Sequence, residues 1–251
     1  MFQKFSHQLL NNMLTRKTLL LTIPVITAMT IAGCSDSDDV TDDVFGDVSE
    51  EISALDRENM TFFVTSESIS DGGNLGGLAG ADAHCTSLAN AAGANATEWV
   101  AYLSTTGADG ENAIDRIGVG PWLNARGVPV AEGPTDLLSD GSNLNGLTAI
   151  TENGDTVQGR GDIPNRHDIL TGTTLEGLAS TDATGTTCSN WTSNASGVGA
   201  AIVGHHDRSG PLIDFVVNPN SFSSAHPSTG CSQEDLRGTG GDGLLYCFAP
   251  N

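Results

Sequence analysis

An apolar run near the C-terminus, Leu244–Ala249, constrains the fold of this chain more than any other feature of its sequence. It reads Leu-Leu-Tyr-Cys-Phe-Ala, and exposing such side chains to water by fraying of the strand is unfavourable. It also carries Cys247, which needs a partner elsewhere in the chain. The run is therefore predicted to lie inside a sheet, tied to something near the start of the folded domain.

The N-terminal segment is typical of an export signal. A basic start (Lys4, Arg16 and Lys17) precedes a largely apolar run of 13 residues, Leu19–Ile31, which is shorter than a bilayer-spanning helix. The run ends in Ile31-Ala-Gly-Cys34, which resembles the lipobox of bacterial lipoproteins. The resemblance implies that residues 1–33 are a signal peptide and that Cys34 carries the lipid. The alternative is an ordinary secretory signal that ends near a cysteine by chance.

The segment that follows, residues 34–59, is predicted to be an acidic, disordered tether. Ten of the 31 acidic residues of the chain lie between positions 35 and 58, and such a segment buries little and repels itself. Ser35 stands where an Asp favours inner-membrane retention in some bacteria, so the lipoprotein resemblance implies the outer membrane and leaves open which face the domain occupies.

Charge excludes one class of partner. Once residues 1–33 are removed, seven arginines remain against 31 carboxylates, a formal net charge of 7 − 31 = −24. A field of that sign repels nucleic acid and anionic lipid headgroups, so we expect neither as a ligand. Acidity of this kind suits a solvated surface, and it leaves cation binding open.

Residues 60–251 are predicted to form one α+β domain. Apolar and β-branched runs predict strands, and the period of the apolar residues over 80–92 predicts a helix with Cys85 on its buried side. Four cysteines remain after Cys34, which an exported domain would pair as two disulfides with three connectivities open. The predicted strands are 61–65, 99–103, 169–173, 188–192, 213–217 and 244–249, with a hairpin over 121–130 and a short helix over 112–117.

The order of the short motifs resembles a bacterial lectin-like domain of unknown function found on lipoproteins, and it is similar to the endostatin domain, a member of the C-type-lectin-like fold. The motifs are Gly80–Cys85, Trp99–Ser104, Leu170–Thr173, Cys188–Thr192, Cys231 and Leu245–Phe248. The resemblance implies a C-type-lectin-like, endostatin-like fold with nested disulfides, Cys85 with Cys247 and Cys188 with Cys231. It also implies that long loops carry any recognition function.

One candidate metal site follows from residue type. His205, His206 and Asp207 form the densest group of metal-ligating side chains, and His167, Asp168 and His226 could join it in space. Adjacent histidines point in different directions on most backbones, so an ordinary polar loop is the alternative.

A candidate ligand site is read from Asn218-Pro-Asn220, which resembles the calcium- and sugar-binding triplet of C-type lectins but lacks its leading acid. Asp140 and Asp155, in the long loop 132–185, add oxygen ligands for Ca²⁺. Arg160-Gly-Asp162 matches an integrin-binding tripeptide, a motif that arises easily by chance.

No catalytic constellation is evident. The sequence contains no Gly-x-Ser-x-Gly motif, and no thiol is left once lipid and disulfides are assigned. The sequence therefore predicts a lipid-anchored, non-enzymatic protein that binds a glycan or an extracellular protein. The alternative is a structural envelope lipoprotein without a soluble ligand.

Overall fold

A computed structural model describes residues 54–181, 185–210 and 218–251, which belong to one compact unit. The predicted signal peptide, the lipidated Cys34, most of the acidic tether and the predicted strand 213–217 lie outside the described residues. Residues 54–59 pack onto the domain, because Asp56 N–H donates to Ala125 O at 2.8 Å and a 3-10 turn follows at Arg57–Asn59. No helix within the described residues is long and apolar enough to cross a membrane.

The architecture is α+β, as predicted. The strands are β1 (Phe62–Val64), β2 (Val100–Ala101), β3 (Trp122–Leu123), β4 (Pro129–Ala131), β5 (Asp168–Leu170), β6 (Ile202–His205), β7 (His226–Pro227) and β8 (Gly241–Phe248). The helices are α1 (Gly77–Ala92), α2 (Ala113–Arg116), α3 (Pro134–Leu137), α4 (Cys188–Trp191) and α5 (Gln233–Thr239). The predicted hairpin is confirmed as β3 paired with β4.

The closing strand β8 is the centre of the main sheet. Strand order is β1-β8-β5-β6-β7, and β2 also pairs with β8. β1 runs antiparallel to β8 with Phe63 opposite Cys247, whereas β5 runs parallel to it. All eight residues of β8 are buried. The prediction that the C-terminal apolar run lies inside a sheet, tied to the start of the folded domain, is therefore confirmed.

Each face of β8 contributes to a separate apolar cluster. Leu245 and Cys247 pack with Phe63 and Trp99, while Tyr246 and Phe248 pack in the second cluster. This division follows from the two-residue period of a strand, which sends alternate side chains to opposite faces. Burying one such side chain contributes about 2 kcal/mol, so both faces of β8 stabilise the domain.

Both disulfides are formed as the family resemblance implies. Cys85 on α1 bonds to Cys247 on β8, and Cys188 bonds to Cys231 just before α5. α1 reaches the sheet closely because its buried stripe consists of small residues, Ala81, Cys85 and Ala89. The cross-links span 162 and 43 residues, which corresponds to about 5 and 4 kcal/mol in the chain-entropy model.

The predicted strand over 188–192 is wrong. Cys188 to Trp191 form a single left-handed turn, with φ of 47°, 57°, 55° and 65°. Tertiary contacts hold this unusual backbone. Cys188 is disulfide-bonded, the Trp191 indole N–H donates to Ser104 O at 2.8 Å, and Asn190 bonds the backbone of Thr106 through both atoms of its amide. Local propensity cannot predict such a turn, because isolated non-glycine residues avoid this conformation.

Helix α5 (Gln233–Thr239) is not among the elements predicted from the sequence. Ser232 caps it by accepting from the Asp235 backbone N–H, and the Asp235 carboxylate accepts in return from the Ser232 backbone. This capping box starts the helix, and Gly240, with a φ of 115°, ends it.

Candidate functional site

Three polar side chains share one face at the open edge of the sheet. Asp168 at the start of β5 is directly opposite His205 at the end of β6, and His226 on β7 is opposite Val203. Since Val203 and His205 are two residues apart on one strand, all of these side chains point to the same side. The register therefore gathers one carboxylate and two imidazoles from distant parts of the sequence.

His167 completes the cluster from the residue before β5. The Nε2 atoms of His167, His205 and His226 lie 3.1, 3.4 and 3.6 Å from a single atom, Asp168 Oδ1. All four residues are at most 5% exposed. Gly240 makes room for His167, because a Cβ at position 240 would lie 3.2 Å from His167 Nε2 on a backbone that already favours glycine.

The other ring nitrogen of each histidine faces an acceptor. Nδ1 of His205 is 2.7 Å from Pro219 O, and Nδ1 of His226 is 3.0 Å from Pro227 O. Nδ1 of His167 is 3.4 Å from a carboxylate oxygen of Asp207. A carbonyl or carboxylate oxygen accepts hydrogen bonds, so these contacts favour a proton on each Nδ1.

Electrostatics keep the central carboxyl ionised. Burial raises the pKa of Asp168, but the neighbouring His205 and His226 lower it by more, so the pKa lies below its ordinary value. Burial lowers the pKa of His226, but the Asp168 carboxylate raises it by more, so that pKa lies above its ordinary value. The centre of the cluster therefore favours positive charge.

The predicted trio of His205, His206 and Asp207 does not converge on one point. The His206 ring points away, with Nε2 3.3 Å from Gln158 O, and it lines a different cleft together with Asp207. Asp207 contacts His167 and accepts from Arg160 N–H at 2.7 Å. Although burial raises the pKa of Asp207, His167 and the Arg160 N–H hold it far below its ordinary value. Asp207 therefore lies next to the cluster and contacts Nδ1 of His167, which helps to orient that ring.

A second candidate site is an open cleft of about 420 Å³ that borders the histidine cluster through Pro219. It brings together three of the four predicted ligand residues: Asp140 comes from one loop, and Asn218 and Asn220 come from one segment 78 to 80 positions later in the sequence. Asp140 and Asn220 are exposed, and their side chains hydrogen-bond to no described residue. The apolar part of the wall is contributed by Leu138, Leu175 and Phe222.

Arg208 joins the loops that form this cleft. Its guanidinium donates to Leu144 O at 2.6 Å, to Ser142 Oγ at 2.5 Å and to Asn220 O at 3.4 Å. It also lies 5.5 Å from the centre of the Phe222 ring. The arrangement fixes the loop around 139–144 against the segment around 220–222, so the cleft is pre-formed.

The remaining predicted residues lie elsewhere. Asp155 is not among the residues that line the cleft; it lies in the turn that closes the bridge between Ile150 and Thr156. In the Arg160-Gly-Asp162 loop, the Asp162 carboxylate accepts from Gly159 N–H at 2.8 Å.

Sequence reasoning named every member of the histidine cluster but grouped the wrong three. His205, His206 and Asp207 are adjacent in sequence, which suggests a cluster. Which side chains meet in space depends instead on strand register, and a single sequence does not reveal it. Arg208 carried no signal at all beyond its charge. Neither a protein-family model nor a curated protein matches this chain.

Proposed function

We propose that this chain is a lipid-anchored envelope protein whose lectin-like domain recognises a ligand without catalysing a reaction, and that the ligand occupies the cleft beside Arg208. The observation that carries the proposal is the convergence of Asp140, Asn218 and Asn220 on one pre-formed cleft. Ligand sites of this type combine an apolar wall with a few placed polar groups.

The chemistry of the cleft favours a saccharide. The Asp140 carboxylate can accept hydrogen bonds from hydroxyl groups, the Asn220 amide can both donate and accept them, and both side chains have that capacity to spare. The apolar wall suits the C–H face of a sugar ring. A single carboxylate falls short of the six to eight oxygens that Ca²⁺ takes unless the ligand supplies the rest. Calcium dependence is therefore part of the test.

A glycan array with and without Ca²⁺ tests recognition. We expect the exported wild-type chain to bind a defined set of glycans, and we expect Asn220→Ala and Asp140→Ala each to weaken that binding at least about 10-fold, the loss of one to two hydrogen bonds. Asn95→Ala is the matched control, because Asn95 is an exposed asparagine at the far end of α1, outside the cleft.

The array separates the competing functions. Binding that is unchanged in both cleft variants would place the ligand elsewhere. A silent array in both conditions would favour the structural envelope role or a protein ligand, and crosslinking on intact cells would then distinguish those two.

The anchor is tested separately. We expect Cys34→Ser to release the protein from the membrane fraction, because a lipid on Cys34 supplies the anchor. Retention of that variant in the membrane fraction would contradict the lipoprotein assignment. Protease treatment of intact cells carrying the wild-type chain then shows whether the domain faces outward.

A further inference from the structure

Two arginines from distant segments of the chain converge on the buried carboxylate of Asp242 in β8. Arg237 on α5 donates from Nε to Asp242 Oδ1 at 2.7 Å, and Nη2 of Arg166, two residues before β5, lies 3.0 Å from Oδ2. Gln233 also donates from Nε2 to Oδ1 at 2.8 Å. Both carboxylate oxygens of Asp242 are therefore already in contact with donors.

The two guanidinium groups have donors to spare. Arg237 uses Nε, and Arg166 approaches Asp242 only through Nη2, so their remaining nitrogens make no hydrogen bond to a described residue. Nε of Arg166 is buried and likewise has no partner among the described residues. A guanidinium has five N–H donors and no acceptor, so these groups need acceptors that the described part of the chain does not supply.

The free donors border an open pocket of about 320 Å³. Its lining consists of Pro164, Asn165, Arg166, Arg237, Gly241 and Asp242. The amide oxygen of Asn165 accepts from His167 N–H at 3.2 Å, which leaves the Asn165 NH₂ group as a further donor. Since the acceptors of Asp242 are in use, the polar side-chain groups left for a ligand are donors only. Such a pocket selects a group that only accepts hydrogen bonds, and an oxyanion is such a group.

The local charge is positive, although the chain as a whole is strongly acidic. Two guanidinium groups against one carboxylate leave an excess of one positive charge, and no other carboxylate among the described residues pairs with two arginines. Glu234 and Asp235 of α5 do not line the pocket. Repulsion from more distant carboxylates is screened, because the Debye length is about 8 Å at physiological ionic strength. The net charge of the chain therefore disfavours an extended anionic surface more than a single anionic group.

We propose that Arg166 and Arg237 bind one oxyanion group of a small molecule, namely a carboxylate, a sulfate or a phosphate. Arginine suits this role because its planar fork presents paired N–H donors to such oxygens. Asp242 is a positioning residue that holds the two guanidinium groups next to each other and leaves their outer nitrogens for the ligand. This inference is independent of the cleft beside Arg208 and of the lipid anchor.

The test titrates the ¹⁵N-labelled exported chain with inorganic phosphate at constant ionic strength. NMR follows the Nε–H signals of Arg166 and Arg237 and the backbone N–H signal of Gly241. We expect saturable shifts at these positions with a dissociation constant of about 1 mM, which corresponds to two or three charge-assisted hydrogen bonds.

Glucuronate and glucose are parallel probes, since they differ by one carboxylate group. Glucuronate should shift the same signals and glucose should not. Shifts with phosphate and not with glucuronate would narrow the ligand class to tetrahedral anions. Absence of saturable shifts with both anions, or equal shifts with glucose, would overturn the proposal.

Variants assign the site to the two arginines. The Arg237 side chain is 59% exposed, so Arg237→Gln should fold, which a melting curve checks. We expect this variant to weaken phosphate binding at least about 10-fold, the loss of one charge-assisted hydrogen bond, and we expect Arg166→Gln to weaken it as well. Arg160→Gln is the matched control, because it removes the same charge from an exposed arginine outside the pocket. Equal losses of affinity in Arg237→Gln and Arg160→Gln would refute the assignment, since binding would then follow net charge alone.

Discussion

Replacing Arg208 tests whether the loops of the cleft are stabilised by the hydrogen bonds of its guanidinium or by its positive charge alone. Arg208→Ala removes two short hydrogen bonds, to Leu144 O and Ser142 Oγ, and the contact with Phe222. Charge-assisted bonds contribute about 1.5 kcal/mol each and the contact with the ring about 0.5 kcal/mol. The released side-chain entropy offsets about 1.5 kcal/mol. The net loss in the free energy of unfolding is therefore about 2 kcal/mol.

A loss of that size is readily measured. It corresponds to a fall of about 4–8 °C in the melting temperature of a domain of this length. Urea unfolding of the exported chain gives the free energy directly. Hydrogen exchange should become faster in the loop around 139–144 and in the segment around 220–222, because both lose their shared contact with Arg208.

The Arg208→Lys variant distinguishes the hydrogen-bonding geometry of the guanidinium from its positive charge as the cause of this stabilisation. An ammonium group keeps the charge but cannot reproduce the spacing of the guanidinium, and it gains no entropy offset, so we expect lysine to be about as destabilising as alanine. Arg160→Ala, at an exposed arginine, should lie within about 0.5 kcal/mol of the wild type. If the lysine variant matches the wild type, charge alone accounts for Arg208 and the reasoning fails.

Further predictions concern the fold. Ser189→Gly should leave stability unchanged or raise it by up to about 1 kcal/mol, because it relieves a left-handed residue, whereas the same change at Ser87 in α1 should cost about 0.5–1 kcal/mol; equal effects in urea unfolding would contradict this. Hydrogen bonds from Ser232 and from Gly197 N–H lower the pKa of Asp235, so its stabilisation is present above about pH 4 and is lost as the pH falls below it. Asp235→Asn should therefore unfold more easily than the wild type at neutral pH, and the gap in thermal melts should close in acid; a constant gap would refute the linkage. Replacing both cysteines of the disulfide between α1 and β8 by alanine should cost about 5 kcal/mol, against about 4 kcal/mol for the other disulfide, by the loop lengths, and the reverse order in urea would contradict the entropy argument.

Those parts of the fold that follow a local pattern could be predicted from sequence. The apolar run that forms β8 and the periodic stretch that forms α1 each have a hydrophobic pattern that predicts the type of secondary structure, and for α1 the pattern also predicts the buried face. The left-handed turn at Ser189 and Asn190 could not be predicted, because four consecutive non-glycine residues rarely adopt that backbone, and the disulfide of Cys188, the buried indole of Trp191 and the Asn190 amide hold it in place.

The sequence could predict which residues belong to candidate sites, but it could not predict which of those residues share a site. His226 and Asp168 are 58 positions apart in the numbering, and only the pairing of β5, β6 and β7 brings them together. Asp140 and Asn220 meet for the same kind of reason, through the long-range contacts of Arg208. A residue list from one sequence therefore names candidates, and the sheet register assigns them to sites.

The central position of β8 has a consequence for how the chain is made. Within the described residues, β1 and β2 join the main sheet through β8, and the Leu245 N–H of β8 donates to Thr65 Oγ1, 180 residues earlier in the sequence. Until β8 has been synthesised, β1 and β2 lack the strand that joins them to β5, so the main sheet cannot be completed. If the chain is exported as we propose, it remains incompletely folded while it crosses the membrane. The main sheet is then completed by β8 after export.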